Sequence, residues 1–345
     1  MHENHSLQAE APLVSILILN LNGLEDTRNC LASLENDGYE NKEILLLDNG
    51  SDIHEFKELQ QQYAESVHLL RSEHNMGFAA GNNYLAQYAS GTYLVLLNND
   101  TEVTTGWLEP LVAHLEGHEE VAVCQPKIRS LIHRDQFDYA GACGGFIDRF
   151  GYPFTRGRVL ETVEKDAGQY DDPLAIHWAS GACCIVRKNI WEEEGGLDER
   201  FFAYMEEVDF CWRLRRSGHS IMSIPQAVIY HKGGQVWRKS PFTKRFHEHR
   251  NNLLMLVSNY SGLHLITRMP IRLLLECASI LYYLAHGKVR LAAAALWSLC
   301  HFVVLAPVRF FQRERRVCNP PLCSKSIVVG YFLWGSKKYA SLVMR

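Results

Sequence analysis

Three short runs of oxygen-bearing side chains stand where apolar segments end. Asn20 and Asn22 follow SILIL, Asp48 and Asn49 follow EILLL, and Asn98, Asn99 and Asp100 follow YLVLL. One such run reads as a turn, because Asn and Asp bond their own backbone and tolerate tight dihedral angles. Three at the ends of successive apolar runs read instead as the lining of a pocket. Between the second and third lies NMGFAAGNN, residues 75–83. Its Gly77 and Gly81 let the backbone approach a ligand, and Asn75 and Asn82 offer amide contacts, although glycine-rich turns before helices are common. Further on, Asp198, Glu206, Glu207 and Asp209 stand among Phe, Tyr and Trp in GGLDERFFAYMEEVDFCW. Acids in the first turn of a helix complement its dipole and cap free N–H groups. Three together beside so much aromatic surface also suit an acidic reaction site.

The elements that must position these groups alternate. Apolar, β-rich runs at 13–20, 43–49, 67–71 and 93–98 are separated by stretches of helical spacing at 26–36, 55–64 and 78–89. This pattern predicts parallel strands covered on both faces, an α/β fold with a Rossmann-like, mostly parallel central sheet. In such sheets ligands bind beyond the carboxyl ends of the strands, where all three polar runs fall. A second region from Gly106 holds a helix at 107–116, a strand at 121–128, and a glycine- and aromatic-rich stretch at 138–170 without a readable period. A strand entered through small residues follows at 177–188, and then a helix from near Glu206.

The chain has 345 residues, 47% of them hydrophobic, enough for one large core or two modest ones and unlike a disordered chain. Its ten cysteines show no CxxC pair or Cys/His ligand spacing, so they read as reduced core residues rather than a disulfide framework or a zinc site. The opening MHENHSLQAEAP lacks the basic and apolar regions of a signal peptide, and a cytoplasmic setting is expected. The net charge of −4 conceals a division: from Arg238 onward 17 Lys and Arg face three acids, against 18 and 36 before it. A basic, apolar tail suits an anionic membrane surface, with nucleic acid the second partner weighed and not expected. Residues 291–308 carry no charge, but His301 and Pro307 interrupt them. A helix lying in the interface is favoured, flanked by Lys288, Arg290, Arg309, Arg313, Arg315 and Arg316; a helical bundle packed on the body or in a homodimer interface is the alternative.

Taken in order, LNxNG, LLLDNGSD, NMGFAAGNN, LLNNDTEV, HWASGA, GGLDERFFAYMEEVDFCWRLRRSG and YHKGG resemble the family 2 glycosyltransferases of GT-A fold, especially the bacterial rhamnosyltransferase-like branch that builds cell-surface polysaccharides. The resemblance covers roughly residues 12–260 and rests on seven motifs in sequence. It implies inverting, metal-dependent transfer of a sugar from a nucleoside diphosphate donor, of dTDP-rhamnose or UDP-hexose type, to a saccharide acceptor that is lipid-linked through a polyprenyl diphosphate. It places Asp48 on the donor's base with Asn20 and Asn22 beside it, and Asn75, Gly77 and Asn82 along the ribose and diphosphate. Asn98, Asn99 and Asp100 match the DxD element, with Asn98 in place of the first acid and Asp100 left as the main anionic ligand of Mg²⁺ or Mn²⁺. His231, otherwise readable as a structural residue after a strand, matches a histidine that completes the metal or diphosphate site. Trp178, Ser180 and Gly181 fall near the sugar or acceptor.

The family pattern after FFxY is Glu-Asp with the Asp as base; here Glu206-Glu207 stands in its place, so Glu207 is the expected base and Glu206 the residue that orients hydroxyls. Asp209 and Arg213 read as a structural pair one helical turn apart. The resemblance divides the chain into a catalytic domain at 12–240, with a nucleotide-binding half at 12–105 and an acceptor-binding half at 106–240, and a membrane-associating helical region at 241–345. The location implied is peripheral, on the cytoplasmic face of the inner membrane. Two other classes are weighed: a catalytically silent nucleotide-sugar-binding scaffold, kept alive by Glu207, and a nucleotidyltransferase, disfavoured because LNGLEDTR is acidic where a basic phosphate loop would stand.

Overall fold

The computed structural model describes residues 11–233, 240–313 and 322–343. Four parallel strands form its first half: β1 (Val14–Asn20), β2 (Lys42–Asn49), β3 (His68–Ser72) and β4 (Tyr93–Asn98). They lie in the order β4-β1-β2-β3 and are joined by α1 (Leu24–Glu35), α2 (Ile53–Tyr63) and α3 (Gly77–Ala86). Alternate residues of β1 explain why the run is apolar throughout. Val14, Ile16 and Ile18 pack toward α1, whereas Leu17 joins the layer of α3. Both faces are covered, so both must be apolar.

The second half makes the sheet mixed. The strands β5 (Thr101–Val103), β6 (Val121–Ser130), β11 (Leu174–Ala175), β12 (Cys183–Arg187) and β13 (Ser220–His231) complete nine in all, ordered β11-β13-β6-β12-β4-β1-β2-β3 with β5 beside β13. Between β5 and β6 runs α4 (Leu108–Gly117). Strand β12 is antiparallel to both β4 and β6, and it is shorter than its sequence suggests because 177–182 hold an isolated bridge at Trp178 and a turn closed by the Cys183 N–H on the Ser180 carbonyl. The stretch without a readable period holds a second, four-stranded sheet of β7 (Gly145–Ile147), β8 (Pro153–Thr155), β9 (Arg158–Val159) and β10 (Thr162–Val163). Strands of two or three residues are too short to show a period of two. After β12 come α5 (Lys188–Glu193), a 3₁₀ turn at Glu199–Phe201, and α6 (Glu206–Arg216).

The tail is helical: α7 (Pro241–Asn259), α8 (Gly262–Ala285), α9 (Val289–Gln312), α10 (Ile327–Phe332) and α11 (Tyr339–Val343). Leu253 to Val257 of α7, Met269 of α8 and Phe302 of α9 belong to the same core as α3 and α6. The opposite face of the tail is apolar and bare, with Ile266 77% exposed, Val304 72% and Phe311 84%. By length and composition α9 could cross a membrane. Arg315 and Arg316 lie outside the described residues, as does the last glycine of YHKGG.

Candidate active site

The run Asn98-Asn99-Asp100 is a turn, and it is also where side chains converge. It turns the chain from β4 to β5, with the Thr101 hydroxyl donating to the Asn98 carbonyl at 2.6 Å. Strand β5 pairs with the end of β13, and Thr101 sits opposite His231. That register brings His231 Nε2 to 3.1 Å from Asp100 Oδ1 and 3.3 Å from Asn98 Nδ2. The other ring nitrogen, Nδ1, lies 3.1 Å from Asp138 Oδ1. Burial alone would push the imidazole toward neutrality, but the two carboxylates outweigh it and hold the His231 pKa well above its ordinary value. Burial likewise opposes the charge on Asp100, and the His231 ring more than offsets it, keeping that carboxyl below its usual range.

This donor set fits a divalent cation. Asp100, in the turn before β5, and His231 Nε2, at the end of β13, face one another, so an ion would take the place of the imidazole proton between them, while Asp138 stands on the far side of the ring, where a carboxylate orients a ligating imidazole. Among the described residues no group of three His, Cys, Asp or Glu side chains encloses an ion. An ion held by Asp100 and His231 would have two protein ligands and would need further oxygen donors, as a diphosphate supplies.

Asn99 turns the other way. Its amide donates to Thr27 Oγ1 at 2.9 Å and lies 3.3 Å from Asn20 Oδ1, so it ties the turn to the β1–α1 loop. Asn20 is fully buried and spent: its amide donates to Glu55 and Ser51 and its oxygen accepts from Thr27 and Gly23. Asn22, at φ 50°, accepts from the Asp52 N–H. Asp48, at the end of β2, is also fully buried; its Oδ1 accepts weakly from Asn20, Oδ2 has no hydrogen-bond partner, and Arg71 Nη1 is 3.6 Å away. The Arg71 cation thus balances this oxygen's charge, and its hydrogen-bonding capacity is left unused.

Asn75, Asn49 and Gly77 form one bonded turn. Asn49 Oδ1 accepts from Met76 N at 2.9 Å, and Asn75 Oδ1 from Gly77 N at 2.9 Å. The first N–H groups of α3 meet the carbonyl of Phe202, with Phe78 N at 2.7 Å. Gly77 is required there, since its φ is +83° and a Cβ would stand 2.5 Å from that carbonyl oxygen. Asn82 is buried and donates to the Phe78 carbonyl. The α3 segment therefore rests on the loop that leads to α6.

That loop is strained. Phe202, Tyr204 and Met205 all have positive φ, at 66°, 71° and 74°. From α7 the Asn251 amide lies within 2.9 Å of three of its carbonyls, those of Phe201, Ala203 and Tyr204. The loop ends at Glu206, 3% exposed, and Glu207. Each carries an Oε2 without a hydrogen-bond partner. Burial, then the charge of Glu207, pushes the Glu206 carboxyl well above its ordinary value, and burial raises Glu207 to about 7. Gly181 faces this pair: a Cβ on it would lie 2.9 Å from the Phe78 ring and 3.8 Å from Glu207 Cβ. The neighbouring Ala182 carbonyl accepts from Asn98 N at 3.0 Å, which joins the Glu207 side of the site to the Asp100 turn. Trp178 is 3% exposed, and its N–H donates to the Phe146 carbonyl at 2.9 Å. Asp209 bonds Arg213 at 3.0 Å, as the helical spacing predicts.

The residues that sequence reasoning missed are Asp138, Asn251 and the Phe202 carbonyl. Asp138 opens the glycine-rich stretch with nothing in its spacing to mark it, and Asn251 lies inside an amphipathic helix. The backbone carbonyl leaves no trace in sequence beyond the glycine that it demands at position 77.

Comparison with known proteins shows the family of the chain. A model of the family "Glycosyl transferase family 2" matches residues 15–195, more than half of the chain. The chain belongs to that family. It is 30% identical over 202 residues to an O-antigen biosynthesis protein of Myxococcus xanthus, covering 56% of this chain and 15% of that one. It is 25% identical over 233 residues to an N-acetylglucosaminyl-diphospho-decaprenol L-rhamnosyltransferase of Mycobacterium tuberculosis, covering 64% and 76%. Among solved structures, GalNAc-T7 with UDP, GalNAc and Mn²⁺ aligns with a TM-score of 0.58 at 17% identity, over 72% of this chain and 48% of that one. A Pyrobaculum calidifontis mannosyltransferase in complex with GDP-Man and Mn²⁺ aligns at 0.50 and 11% identity, over 88% of each. The family 2 chain is thus a glycosyltransferase of α/β, GT-A fold, similar to proteins of polysaccharide biosynthesis.

Proposed function

We propose that the protein is an inverting glycosyltransferase that moves a sugar from a nucleoside diphosphate, of the dTDP-rhamnose or UDP-hexose type, to a saccharide carried on a polyprenyl diphosphate. The observation that carries this reading is the link through Gly181 and Ala182. It ties the segment beside the partly buried carboxylate Glu207 to the turn that carries Asp100, which His231 faces from β13. The nucleotide half of the reading rests on Asp48, whose Oδ2 has the Arg71 cation beside it but no hydrogen-bond donor and so suits an N–H of a pyrimidine base.

Asp100 and His231 hold Mg²⁺ or Mn²⁺, which when bound neutralises the charge growing on the leaving diphosphate. Asp138 keeps the imidazole oriented. Glu207 takes the proton from the acceptor hydroxyl as that oxygen attacks the anomeric carbon from the face opposite the leaving group. Glu206 holds a hydroxyl of acceptor or donor. Residues 12–105 serve the nucleotide, 106–240 the acceptor, and 241–345 hold the enzyme at the cytoplasmic face of the membrane, where the bare apolar face of α8 and α9 meets lipid. The relatives' printed activities in O-antigen biosynthesis and rhamnosyl transfer to a diphospho-decaprenol support the acceptor class.

The test is thermal stabilisation of the purified protein by UDP, dTDP and GDP, each with Mn²⁺ or EDTA, followed by turnover with the matching sugar nucleotides. One nucleotide should raise the midpoint in a metal-dependent manner. The anomeric configuration of the product, read by NMR, should be opposite to that of the donor. Retention of configuration, or no stabilisation by any nucleotide, would sink the proposal.

A further inference from the structure

A cavity of about 300 Å³ lies apart from this site, between the C-terminal end of α6, the end of α7 and the last turn of α9. Five guanidinium groups line it: Arg200, Arg213, Arg216, Arg309 and Arg313. The carboxylates among them are three, Glu194, Asp198 and Asp209, so the lining holds two positive charges in excess. Arg213 is committed to Asp209 and to the Glu194 and Gly196 carbonyls, and Arg200 to Asp198. Arg309 is different. It is 5% exposed, bonds Asp198 through Nη1, and has a buried Nη2 with no hydrogen-bond partner. A buried guanidinium N–H left without an acceptor, in a lining with surplus positive charge, calls for an anion with several oxygens.

The same two turns of α9 say what kind of anion. Val304, Val308 and Phe311 share one face of the helix, spaced four and three residues apart, and are 72%, 52% and 84% exposed. Arg309, about 100–160° round the helix from them, and Arg313, just past the helix end, line the cavity on the other face. A phosphate among the arginines would lie within one helix width, about 10 Å, of that apolar stripe, a distance a lipid chain attached to it can span. We propose that this cavity binds a phosphate group carried on a lipid chain. The inference rests on the reading of α8 and α9 as the membrane-facing surface. It adds that the surface has a defined headgroup pocket, reached on the side of α6 remote from Glu207.

The test is flotation of the full chain with vesicles of phosphatidylcholine alone and of phosphatidylcholine with phosphatidylglycerol. The wild type is compared with Arg309→Gln and with the pair Arg216→Gln and Arg313→Gln, which leaves the Arg309–Asp198 contact in place. A control pair, Lys288→Gln and Arg290→Gln, removes two exposed cations from the far end of α9. Binding to the anionic vesicles should fall about tenfold or more in both cavity variants and less in the control, with neutral vesicles unaffected. An equal fall in the control would show diffuse attraction and overturn the pocket. So would stabilisation of the wild type by inorganic phosphate or pyrophosphate, lost in the cavity variants, without any preference for anionic vesicles, since the ligand would then carry no lipid. The nucleotide-induced stabilisation checks that each variant is folded, and its absence from the wild type would sink the donor reading while leaving the vesicle comparison decisive.

Discussion

Asn251 of α7 donates to the carbonyl of Tyr204 at 2.8 Å, in the strained loop that delivers Glu206 and Glu207. The tail and the site are therefore mechanically joined. Asn251→Ala should lower kcat roughly 10- to 100-fold, because small misplacements of reacting groups have effects of this size. Nucleotide-induced stabilisation should remain, since Asp48, Asp100 and His231 are held by other elements. Asn251→Asp should be worse than Ala, as it sets a carboxylate against three carbonyl oxygens. An equal loss of nucleotide stabilisation and of kcat would show that the residue only supports the fold.

Removing the ion ligands should separate binding from chemistry differently. Asp100→Ala and His231→Ala should each abolish the difference between Mn²⁺ and EDTA in the nucleotide-dependent midpoint. Asp138→Asn should keep part of that difference, because it retains a partner for Nδ1 but not the charge. Outer residues of this kind typically change metal affinity by about 10- to 100-fold. A wild-type response in Asp138→Asn would remove its orienting role.

Glu207 makes the rate depend on pH. A base must be deprotonated, and burial raises this carboxyl to about 7, so kcat/KM of the free enzyme should climb as pH rises to that value and level above it. Glu206, Cys184, Cys211 and Tyr204 are the other titratable groups near it. Glu207→Gln should remove about 10²- to 10⁴-fold of activity together with that limb. Stability runs the opposite way: a carboxyl whose pKa is raised on folding stabilises the fold at low pH. Its contribution is present below the ordinary value of 4.5 and is lost as pH rises through about 7. Glu207→Gln should flatten that slope, and an unchanged pH–rate limb would assign the base elsewhere.

Gly181→Ala should fold yet lose most activity. Its Cβ would stand 2.9 Å from the Phe78 ring, which must then move toward Glu207 or away from α3. Phe78→Leu should recover part of the rate in the double variant, and failure of the second change to do so would place the damage in the backbone.

The parallel half of the fold is legible because its strands are long and buried on both faces, so runs such as 13–20 and 93–98 announce themselves. Asp48 and Asp100 are legible for the same reason, standing where those runs stop. Asn20, Asn99 and Trp178 show the limit of this reasoning. Polar or aromatic character marks where a residue sits but not which way its donors point, and here they point to Glu55, Thr27 and the Phe146 carbonyl. The four-stranded sheet was hidden because its strands, paired in short local hairpins, are only two or three residues long and show no period. Asp138 and Asn251 were hidden because each meets its partner nearly 50 residues or more away in the chain.

The pairing of Thr101 with His231 acts as a ruler for the ion site. Strand β5 has only three residues, and side chains alternate sides along a strand, so inserting or deleting one residue between Asp100 and Val103 would shift the Asp100 turn by one position against His231, which β13 holds in place through its pairing with β6. The 131–136 turn beyond β6 meets the same histidine from the other side, since the Leu131 N–H donates to the His231 carbonyl at 2.8 Å and the chain runs on from there to Asp138. A length change in either turn would part His231 from a carboxylate, Asp100 in the one case and Asp138 in the other, and no single substitution could bring them back together.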